Sequence, residues 1–354
     1  MRIAYVAKIP VHFHSGVLRK IALQVKAWED AGHVVSLHVL TQSPEIPDCA
    51  PPGAFVYRFS NLTSRFRMTR ALVDRVLAMS CDVVYLRYFS YQPGLDRLMR
   101  ARNVVFEINT DDVAEQHLMS RRSAACNRLT RRRFLRKGAG AVFVTDELAK
   151  AAAFCDAPTP RAVIANGIDL EAHPSRLRAP VNEQPRLVFV GSPDLPWHGV
   201  EDLISFARRR PEWTFELVGP SAPASSPPRN VAFLGFLEPQ DYLQVLDRSD
   251  VAISTLGLYR KNMTEACPLK AREYLARGLP VISGYHDTDF PHGAAFLCEL
   301  PAGPDSLVRN VATVDKFVDA MRGYQVAHAD VAQIDSRAKE DARLSYFEST
   351  VAGG

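Results

Sequence analysis

Short apolar segments alternate with amphipathic segments along most of the chain, and this alternation constrains the fold more than any other feature. Residues 2–7 and 33–40 have the continuous apolar pattern of buried strands, and residues 17–31 between them have helical periodicity that ends at Gly32. Similar strand and helix pairs follow as far as residue 300. Because strands that alternate with helices form parallel, doubly wound sheets, we predict an α/β protein built from Rossmann-like units.

The length of 354 residues is that of two domains of ordinary size. Asn166 and Gly167 form a turn signal, and the polar, proline-bearing stretch HPSRLRAPVNEQP that follows soon after is typical of a linker. We therefore predict a first domain over residues 1–183 and a second domain that starts at residue 184.

Composition indicates a folded globular protein, with 47% hydrophobic and 23% charged residues. No apolar run approaches the roughly 20 residues of a membrane-spanning helix, and the chain passes from Met1 directly into a strand pattern without a signal peptide. The six cysteines form no C-x-x-C pair and no cluster with metal-ligand spacing. These features predict a cytoplasmic protein without structural zinc.

Charge is distributed unevenly along the chain. Residues 1–180 contain 26 Lys+Arg and 16 Asp+Glu, which gives a formal charge of +10, whereas the remainder is negative. The first half should therefore face an anionic partner. Much of this charge lies in residues 113–137, at Arg121, Arg122, Arg128, Arg131, Arg132, Arg133, Arg136 and Lys137.

Apolar residues are interleaved with these basic residues, at Leu118, Leu129, Phe134 and Leu135. One interpretation is a helix that lies against an anionic membrane or a lipid pyrophosphate, with Arg131 and Arg132 among its contacts. The other interpretation is a basic face exposed to water. Nucleic acid is not an expected partner, because the sequence has no recognition fold and no aromatic stacking platform.

Residues 263–280 read MTEACPLKAREYLARGLP and place Glu265 and Glu273 eight residues apart. Pro268 suits the first position of a helix that continues through strong helix formers and ends at Gly278. The free amides of a helix N-terminus hold phosphate oxygens, and carboxylates accept hydrogen bonds from hydroxyls. This combination suits a nucleotide-sugar. The alternative is an amphipathic surface helix in which one glutamate pairs with Arg277.

The spacing of these two glutamates, followed by EYLARGLPVIS, resembles the donor-site motif of retaining glycosyltransferases of the GT-B fold, family 4 in particular. The resemblance implies an α/β GT-B architecture, in which two Rossmann-like domains face a cleft and the last helix crosses back to the N-terminal domain. Residues 1–183 would then bind the acceptor, residues 184–330 the nucleotide-sugar, and residues 331–354 would form the returning helix.

The same resemblance implies a metal-independent, hexosyltransferase-type enzyme that transfers a sugar from a nucleoside diphosphate sugar with retention of configuration. The acceptor would be a hydroxyl of a saccharide or lipid-linked molecule in the synthesis of a surface polysaccharide or glycoconjugate. No cofactor is implied besides the sugar donor. The expected location is the cytoplasm, at the inner face of the membrane.

The family roles transfer to this chain by position. Glu265 would lie by the donor sugar and Glu273 would bind the ribose hydroxyls. Further donor contacts are expected from Gly16, Gly191, His198, Gly199, Leu269 and Lys270.

Three positions depart from the family pattern. Ser15 precedes Gly16 where the family has a Gly-Gly pair, and Asn109 occupies the place of a histidine that faces the donor sugar. An amide can form hydrogen bonds there but cannot titrate. His198 replaces a lysine that grips the donor diphosphate, and the arginine of that loop is missing. A charge-assisted hydrogen bond is thereby lost.

Other cations could replace the missing charge. Arg260, Lys261 and Lys270 are candidates, and we favour Lys270 because it lies in the first turn of the helix between the two glutamates. On the acceptor side, Asp111, Asp112 or Glu115 could contact a hydroxyl, or could cap the next helix.

Two other functions are compatible with the same residues. A nucleotide-sugar epimerase shares the fold, but it would need acid and base side chains in the cleft. An inactive, transferase-like binding subunit would explain the three departures together. A metal site is not expected, because the nearest D-x-D sequence, at residues 287–289, is predicted to lie in a loop.

Overall fold

The structure is a computed structural model that describes residues 1–9, 16–43, 50–224 and 226–352. The chain forms two compact units, one of Met1–Ala165 with Arg337–Gly354 and one of Asn166–Ser336. These limits lie at residues 165 and 336, where the sequence had suggested 183 and 330. Residues 166–183 group with the second unit partly because Asn166 is hydrogen-bonded to Cys267 within it.

The first unit contains one parallel sheet with the strand order β3-β2-β1-β4-β5-β6-β7. Its strands are β1 (Arg2–Ile9), β2 (Val34–Thr41), β3 (Phe55–Arg58), β4 (Val83–Arg87), β5 (Val104–Ile108), β6 (Gly140–Phe143) and β7 (Arg161–Val163). Its helices are α1 (Gly16–Asp30), α2 (Leu62–Ala78), α3 (Leu95–Ala101), α4 (Asp112–Met119), α5 (Arg121–Leu135) and α6 (Asp146–Lys150), with a 3₁₀ turn at Ala152–Phe154.

The helical periodicity of the sequence predicts a helix over residues 67–79, whereas α2 begins five residues earlier, at Leu62. Asn61 and Ser64 form a capping box, in which each side chain accepts a hydrogen bond from the backbone of the other. This cap fixes the start of the helix before its apolar stripe begins. Strand β3 was also not predicted, because its four residues are too few to show a clear period.

The second unit repeats the same arrangement, with the strand order β10-β9-β8-β11-β13-β15. The strands are β8 (Arg186–Val190), β9 (Thr214–Val218), β10 (Val231–Gly235), β11 (Val251–Ile253), β13 (Val281–Ser283) and β15 (Leu297–Glu299), and a separate pair is formed by β12 (Glu265–Ala266) and β14 (His286–Asp287). The helices are α7 (Val200–Ala207), α8 (Pro239–Asp247), α9 (Leu269–Arg277), α10 (Ser306–Arg309) and α11 (Val311–Met321), with 3₁₀ turns at Pro196–His198, Leu258–Lys261 and His328–Ile334.

In each sheet the strand order reverses beside the first strand, between β1 and β4 and between β8 and β11. Open parallel sheets bind ligands at the carboxyl ends of the strands at such a switch point. In the second unit, a ligand is therefore expected at the loops that follow β8 and β11.

The last helix, α12 (Ser336–Ala352), returns to the first unit as expected. Its Phe347 is fully buried, and the ring centroid lies 5.5 Å from that of Trp28 and 5.0 Å from that of Tyr85. Glu340 on the same helix accepts a hydrogen bond of 2.9 Å from the Trp28 indole. These contacts make the C-terminal helix part of the core of the first unit.

Candidate functional site

Helix α9 carries Glu273, and Glu265 precedes the helix, much as the sequence predicted. Pro268 is the residue immediately before the helix, and Gly278 ends it in the left-handed conformation with φ at +89°. Glu265 lies in strand β12 and Glu273 lies in the second turn of α9, and both side chains are partly exposed. One carboxylate therefore precedes the N-terminus of α9 in the chain, and the other follows it.

Lys270 lies in the first turn of α9 and has no hydrogen-bond partner in the described part of the chain, although its Nζ is buried. The Nζ atom is 4.2 Å from the centroid of the Phe189 ring, which is the fourth residue of β8. Burial lowers the pKa of this amine to about 7. A buried amine without an anionic partner is well suited to bind an anion that enters the site.

The His198 ring lies next to Lys270 and is 6% exposed. Its Nδ1 is also buried without a hydrogen-bond partner among the described residues. Burial, and next the charge of Lys270, lower the pKa of His198 to about 2, so the imidazole is neutral. The site therefore contains one nitrogen that can carry a positive charge, Nζ of Lys270, and one neutral nitrogen, Nδ1 of His198.

Two glycines allow the loop after β8 to pack closely around this histidine. A Cβ on Gly191 would lie 2.6 Å from the His198 ring, and a Cβ on Gly199 would lie 2.8 Å from Leu256. Gly199 also has a φ of +70°, which favours glycine. The Leu256 amide donates to the His198 carbonyl across this contact. Since Leu256 follows β11, these residues lie at the switch point between β8 and β11.

The other two cations that were considered for this site have partners elsewhere. The Arg260 guanidinium contacts the carboxylate of Glu201. The Nζ of Lys261 lies 4.5 Å from the centroid of the Trp197 ring. Lys270 is therefore the strongest candidate for the cation that binds a diphosphate.

Arg272 holds the buried side of helix α9 in place. The sequence did not predict this role. Its side chain is fully buried and donates to Asp287 at 2.6 and 2.9 Å, to Asp289 at 2.7 Å and to the Asn166 carbonyl at 2.9 Å. Burial lowers the pKa of the guanidinium, but the two carboxylates outweigh this effect and the pKa is raised. The sequence signal for Arg272 was its position immediately before Glu273, which places it on the buried side of the same helix.

The contacts of Arg272 also give the D-x-D sequence at residues 287–289 a structural role. Both carboxylates accept hydrogen bonds from Arg272, so they are committed to the interior of the second unit. Across the described ranges, no group of three or more His, Cys, Asp or Glu side chains is arranged to hold a metal ion.

Tyr242 on α8 is a second residue that the sequence did not reveal. Its hydroxyl donates a hydrogen bond of 2.7 Å to Oε2 of Glu273. Glu273 does not pair with Arg277, which instead forms a bidentate pair with Asp247. The Glu273 carboxylate is therefore held by a neighbouring helix, and the surface pair considered from the sequence does not form.

Comparison with known proteins identifies chains with a similar fold. Residues 184–322, within the second unit, match the family described as glycosyl transferases group 1. The solved structure of sucrose-phosphate synthase from Thermosynechococcus elongatus is 14% identical, with a TM-score of 0.74 and both chains fully covered. No curated protein sequence matches the chain.

Two further solved structures are similar over almost the whole length. Anabaena HepE in complex with UDP and glucose is 15% identical, with a TM-score of 0.66 and coverage of 99% of this chain and all of its own. The lipopolysaccharide outer core galactosyltransferase WaaB is 13% identical, with a TM-score of 0.63 and the same coverage. The chain has the GT-B fold. The resemblance to GT-B glycosyltransferases that the sequence indicated is thereby confirmed.

Within the first Rossmann-like unit of this GT-B fold, Asn109 lies just after β5. Its Oδ1 accepts a hydrogen bond of 3.2 Å from Lys20, and its Nδ2 is buried with no partner in the described ranges. Lys20 also pairs with the buried Glu107 at 2.5 Å, and Arg87 lies 3.1 Å from the same carboxylate. Burial raises the pKa of Glu107, but the two cations outweigh this effect and the pKa is lowered. Asn109 thus offers its amide NH2 group beside a buried carboxylate that is paired with two cations.

Asp111 and Asp112 have structural roles that differ from the predicted acceptor contacts. Asp111 caps α4 by accepting hydrogen bonds from the amides of Val113 and Ala114. Asp112 is buried and pairs with Arg131 at 2.8 Å. Both charges join α4 to α5, and the contact of Asp112 and Arg131 with an acceptor or a membrane stays a prediction.

The other predictions for the first unit concern Arg132, Gly16 and the neighbouring Ser15. Arg132 is 69% exposed and pairs with Asp156. Gly16 is the first residue of α1, whereas Ser15 lies outside the described residues. Among the described residues, no helix has both the length and the apolar character needed to span a bilayer.

Proposed function

We propose that this chain is a retaining glycosyltransferase that transfers a hexose from a nucleoside diphosphate sugar to a hydroxyl of a saccharide or lipid-linked acceptor. The observation that carries the proposal is the buried, unpartnered amine of Lys270 at the N-terminus of α9. A diphosphate at this position would accept charge-assisted hydrogen bonds from Lys270 and a neutral hydrogen bond from His198. Structural similarity to HepE, whose structure contains UDP and glucose, supports this class of donor.

In this proposal the two glutamates bind the polyol ends of the donor. Glu273, held by Tyr242, accepts hydrogen bonds from the ribose hydroxyls. Glu265 orients the transferred sugar, and Asn109 is a further proposed substrate contact. The remaining proposed donor contacts come from Gly16, Gly191, Gly199 and Leu269.

The chemical step breaks the bond between the anomeric carbon and the diphosphate oxygen. The acceptor oxygen then bonds to the same face of that carbon, and the acceptor proton moves to the departing diphosphate. Lys270 and the helix N-terminus stabilise the negative charge that develops on the leaving group, so the step is proposed to need no metal ion.

The first test is a thermal-shift comparison with UDP, GDP, TDP and ADP at about 1 mM, on wild type and on Glu273→Ala. A ligand with a Kd near 10 μM should stabilise the protein by roughly 2.7 kcal/mol, which is a shift of several degrees. The shift should shrink in Glu273→Ala but persist in Glu212→Ala, which removes an exposed glutamate of the second unit. If no diphosphate produces a shift, the binding-subunit alternative is favoured.

A sugar-nucleotide that passes this test should then be incubated with and without a saccharide acceptor. Retention predicts a product with the anomeric configuration of the donor, as read by NMR. Conversion of the donor sugar without any acceptor would instead indicate the epimerase.

Tyr242→Phe should weaken the recognition of ribose without abolishing nucleotide binding. Removal of the phenol frees the Glu273 carboxylate to rotate, so we expect the preference for UDP over 2′-deoxy-UDP to fall by about threefold to tenfold. Isothermal titration of both nucleotides gives this ratio directly. A parallel loss of affinity for both nucleotides would show that Tyr242 acts on packing and not on the carboxylate.

We also propose that α4 and α5 contact an anionic membrane at its inner face. Leu129 is 85% exposed and Met119 is 54% exposed, next to basic residues of α5 such as Arg132. Apolar groups among cations are typical of surfaces that bind anionic lipid.

Leu129→Glu should therefore reduce sedimentation with phosphatidylglycerol vesicles by tenfold or more, since it removes an inserted side chain worth roughly 1.5–3 kcal/mol. Leu177→Glu is the matched control, because Leu177 is fully exposed in the second unit. Equal losses in the two variants would contradict the membrane contact.

A further inference from the structure

A cavity of about 620 Å³ lies in the first unit, separate from the residues assigned above. It is lined by Phe66, Arg67, Arg70, Pro93, Gly94 and Arg97. Its volume is within the range of small-molecule sites. The lining residues belong to the first turns of α2 and to the start of α3. Because these helices follow β3 and β4, this part of each helix lies at the carboxyl edge of the sheet, where parallel α/β units bind ligands.

The cavity carries an excess of positive charge. Asp74 lies 2.5 Å from Arg97 and 4.0 Å from Arg70. Arg67 is exposed, and no ion pair is seen for it in the described part of the chain. Three lining arginines therefore share one carboxylate, which leaves a net charge that an anion would offset.

Two more cations of the first unit, Arg65 and Lys8, lie near each other outside the lining of the cavity. The Arg65 guanidinium lies 5.6 Å from the centroid of the Phe66 ring, and its Nε is buried without a hydrogen-bond partner among the described residues. Burial, and next the charge of Arg65, lower the pKa of Lys8 near the end of β1. Two cations near each other are stabilised when an anion binds beside them.

Apolar groups complete the lining. Phe66 and Pro93 face the same cavity as the arginines. A small inorganic anion would use the guanidinium groups and leave these apolar surfaces in contact with water. A ligand with an anionic group joined to a hydrocarbon chain would cover both.

We propose that this cavity binds the phosphate or diphosphate group of an acceptor that carries an apolar chain next to that group. Describing the ligand as the acceptor rests on the proposed glycosyltransferase function, but the binding itself does not. The arginines would hold the phosphate oxygens, and Phe66 with Pro93 would contact the first part of the chain.

The experiment is a calorimetric titration of the full chain with farnesyl diphosphate, a soluble probe that has both groups. Wild type should bind it, and Arg67→Ala combined with Arg70→Ala should raise the Kd at least tenfold. Arg208→Ala combined with Arg209→Ala is the control, because these exposed arginines lie at the end of α7 and give the same change in charge. Thermal unfolding of each variant shows that both pairs leave the fold intact.

Probes that contain only one of the two groups test the rest of the proposal. Inorganic pyrophosphate should bind at least tenfold more weakly than farnesyl diphosphate, and farnesol should not bind. Equal affinity for pyrophosphate, absence of farnesyl diphosphate binding in wild type, or an equal loss in the control pair would overturn the proposal. Binding of phosphatidylglycerol vesicles that depends on Arg67 and Arg70, without binding of the soluble probe, would identify a membrane contact and would also overturn it.

The UDP thermal shift on the same samples separates this inference from the proposed function. Arg67→Ala with Arg70→Ala should keep the wild-type response to UDP, since neither residue is among the proposed donor contacts. A protein that binds farnesyl diphosphate but no nucleoside diphosphate would retain the cavity assignment and lose the transferase proposal.

Discussion

Replacement of Lys270 by methionine is expected to raise the Kd for the nucleoside diphosphate by about 10-fold to 100-fold, since hydrogen bonds to charged groups contribute roughly 1.5–3 kcal/mol. Methionine keeps the apolar stem that packs near Phe189 and removes only the charge. Lys316→Met, at an exposed lysine of the second unit, controls for the change in net charge. Titration calorimetry with the diphosphate identified by thermal shift measures the effect. Unchanged affinity in Lys270→Met would mean that the diphosphate lies elsewhere.

The same residue should make diphosphate binding depend on pH. The pKa of Lys270 in the free protein is about 7, and a bound diphosphate would raise it because the charges attract. Below this pKa the amine is already protonated and the affinity should be at its maximum. Above it, binding must take up a proton, so the Kd should rise by up to tenfold for each pH unit until the raised pKa is reached.

Proton uptake can be measured directly by titrating the protein above neutral pH in buffers with different ionisation enthalpies. Wild type should take up close to one proton for each diphosphate bound when the solution is about one pH unit above the free-state pKa. Lys270→Met should take up none at this step. If the variant keeps the same proton uptake, another group is titrating and the assignment to Lys270 is wrong.

Arg272→Met should be the most destabilising of the proposed changes, with a loss of roughly 3–5 kcal/mol in the free energy of unfolding. The substitution leaves the buried carboxylate of Asp287 and that of Asp289 without their cation, and the Asn166 carbonyl without its donor. For a unit of this size, such a loss lowers the melting temperature by roughly 10 °C.

Arg309→Met is the control for this prediction, because it removes an exposed arginine of the same unit. Addition of Asp287→Asn to Arg272→Met should recover part of the stability, since it removes one of the stranded charges. Calorimetric melting of the four proteins tests both statements. A drop in melting temperature that equals the control would show that the triad contributes little.

The proposed function connects these two residues. Lys270 points its amine at the ligand site, whereas Arg272, two residues later, anchors the opposite side of α9 in the core of the second unit. The helix can present a buried cation to a ligand because a second cation fixes its position. Loss of Arg272 should therefore also weaken diphosphate binding, at temperatures where the variant is still folded.

The sequence by itself determined the features that depend on local pattern. Strand and helix periods predicted two parallel α/β units, and the run from Pro268 to Gly278 predicted helix α9 to within one residue. The spacing of Glu265 and Glu273 and the first-turn position of Lys270 were visible for the same reason. Residues a few positions apart on one element have a spatial relation that the helical period fixes.

Only the tertiary structure decided which side chains lie against each other across elements. It paired Asp112 with Arg131, Tyr242 with Glu273, and Arg272 with two aspartates on a neighbouring strand and loop. Among the described residues, it also left Nζ of Lys270 and Nδ1 of His198 without hydrogen-bond partners. The sequence alone does not show whether a charged residue is exposed, paired or buried without a partner. The difference arises from packing between distant segments, which sets both the desolvation of each charge and the charges that surround it.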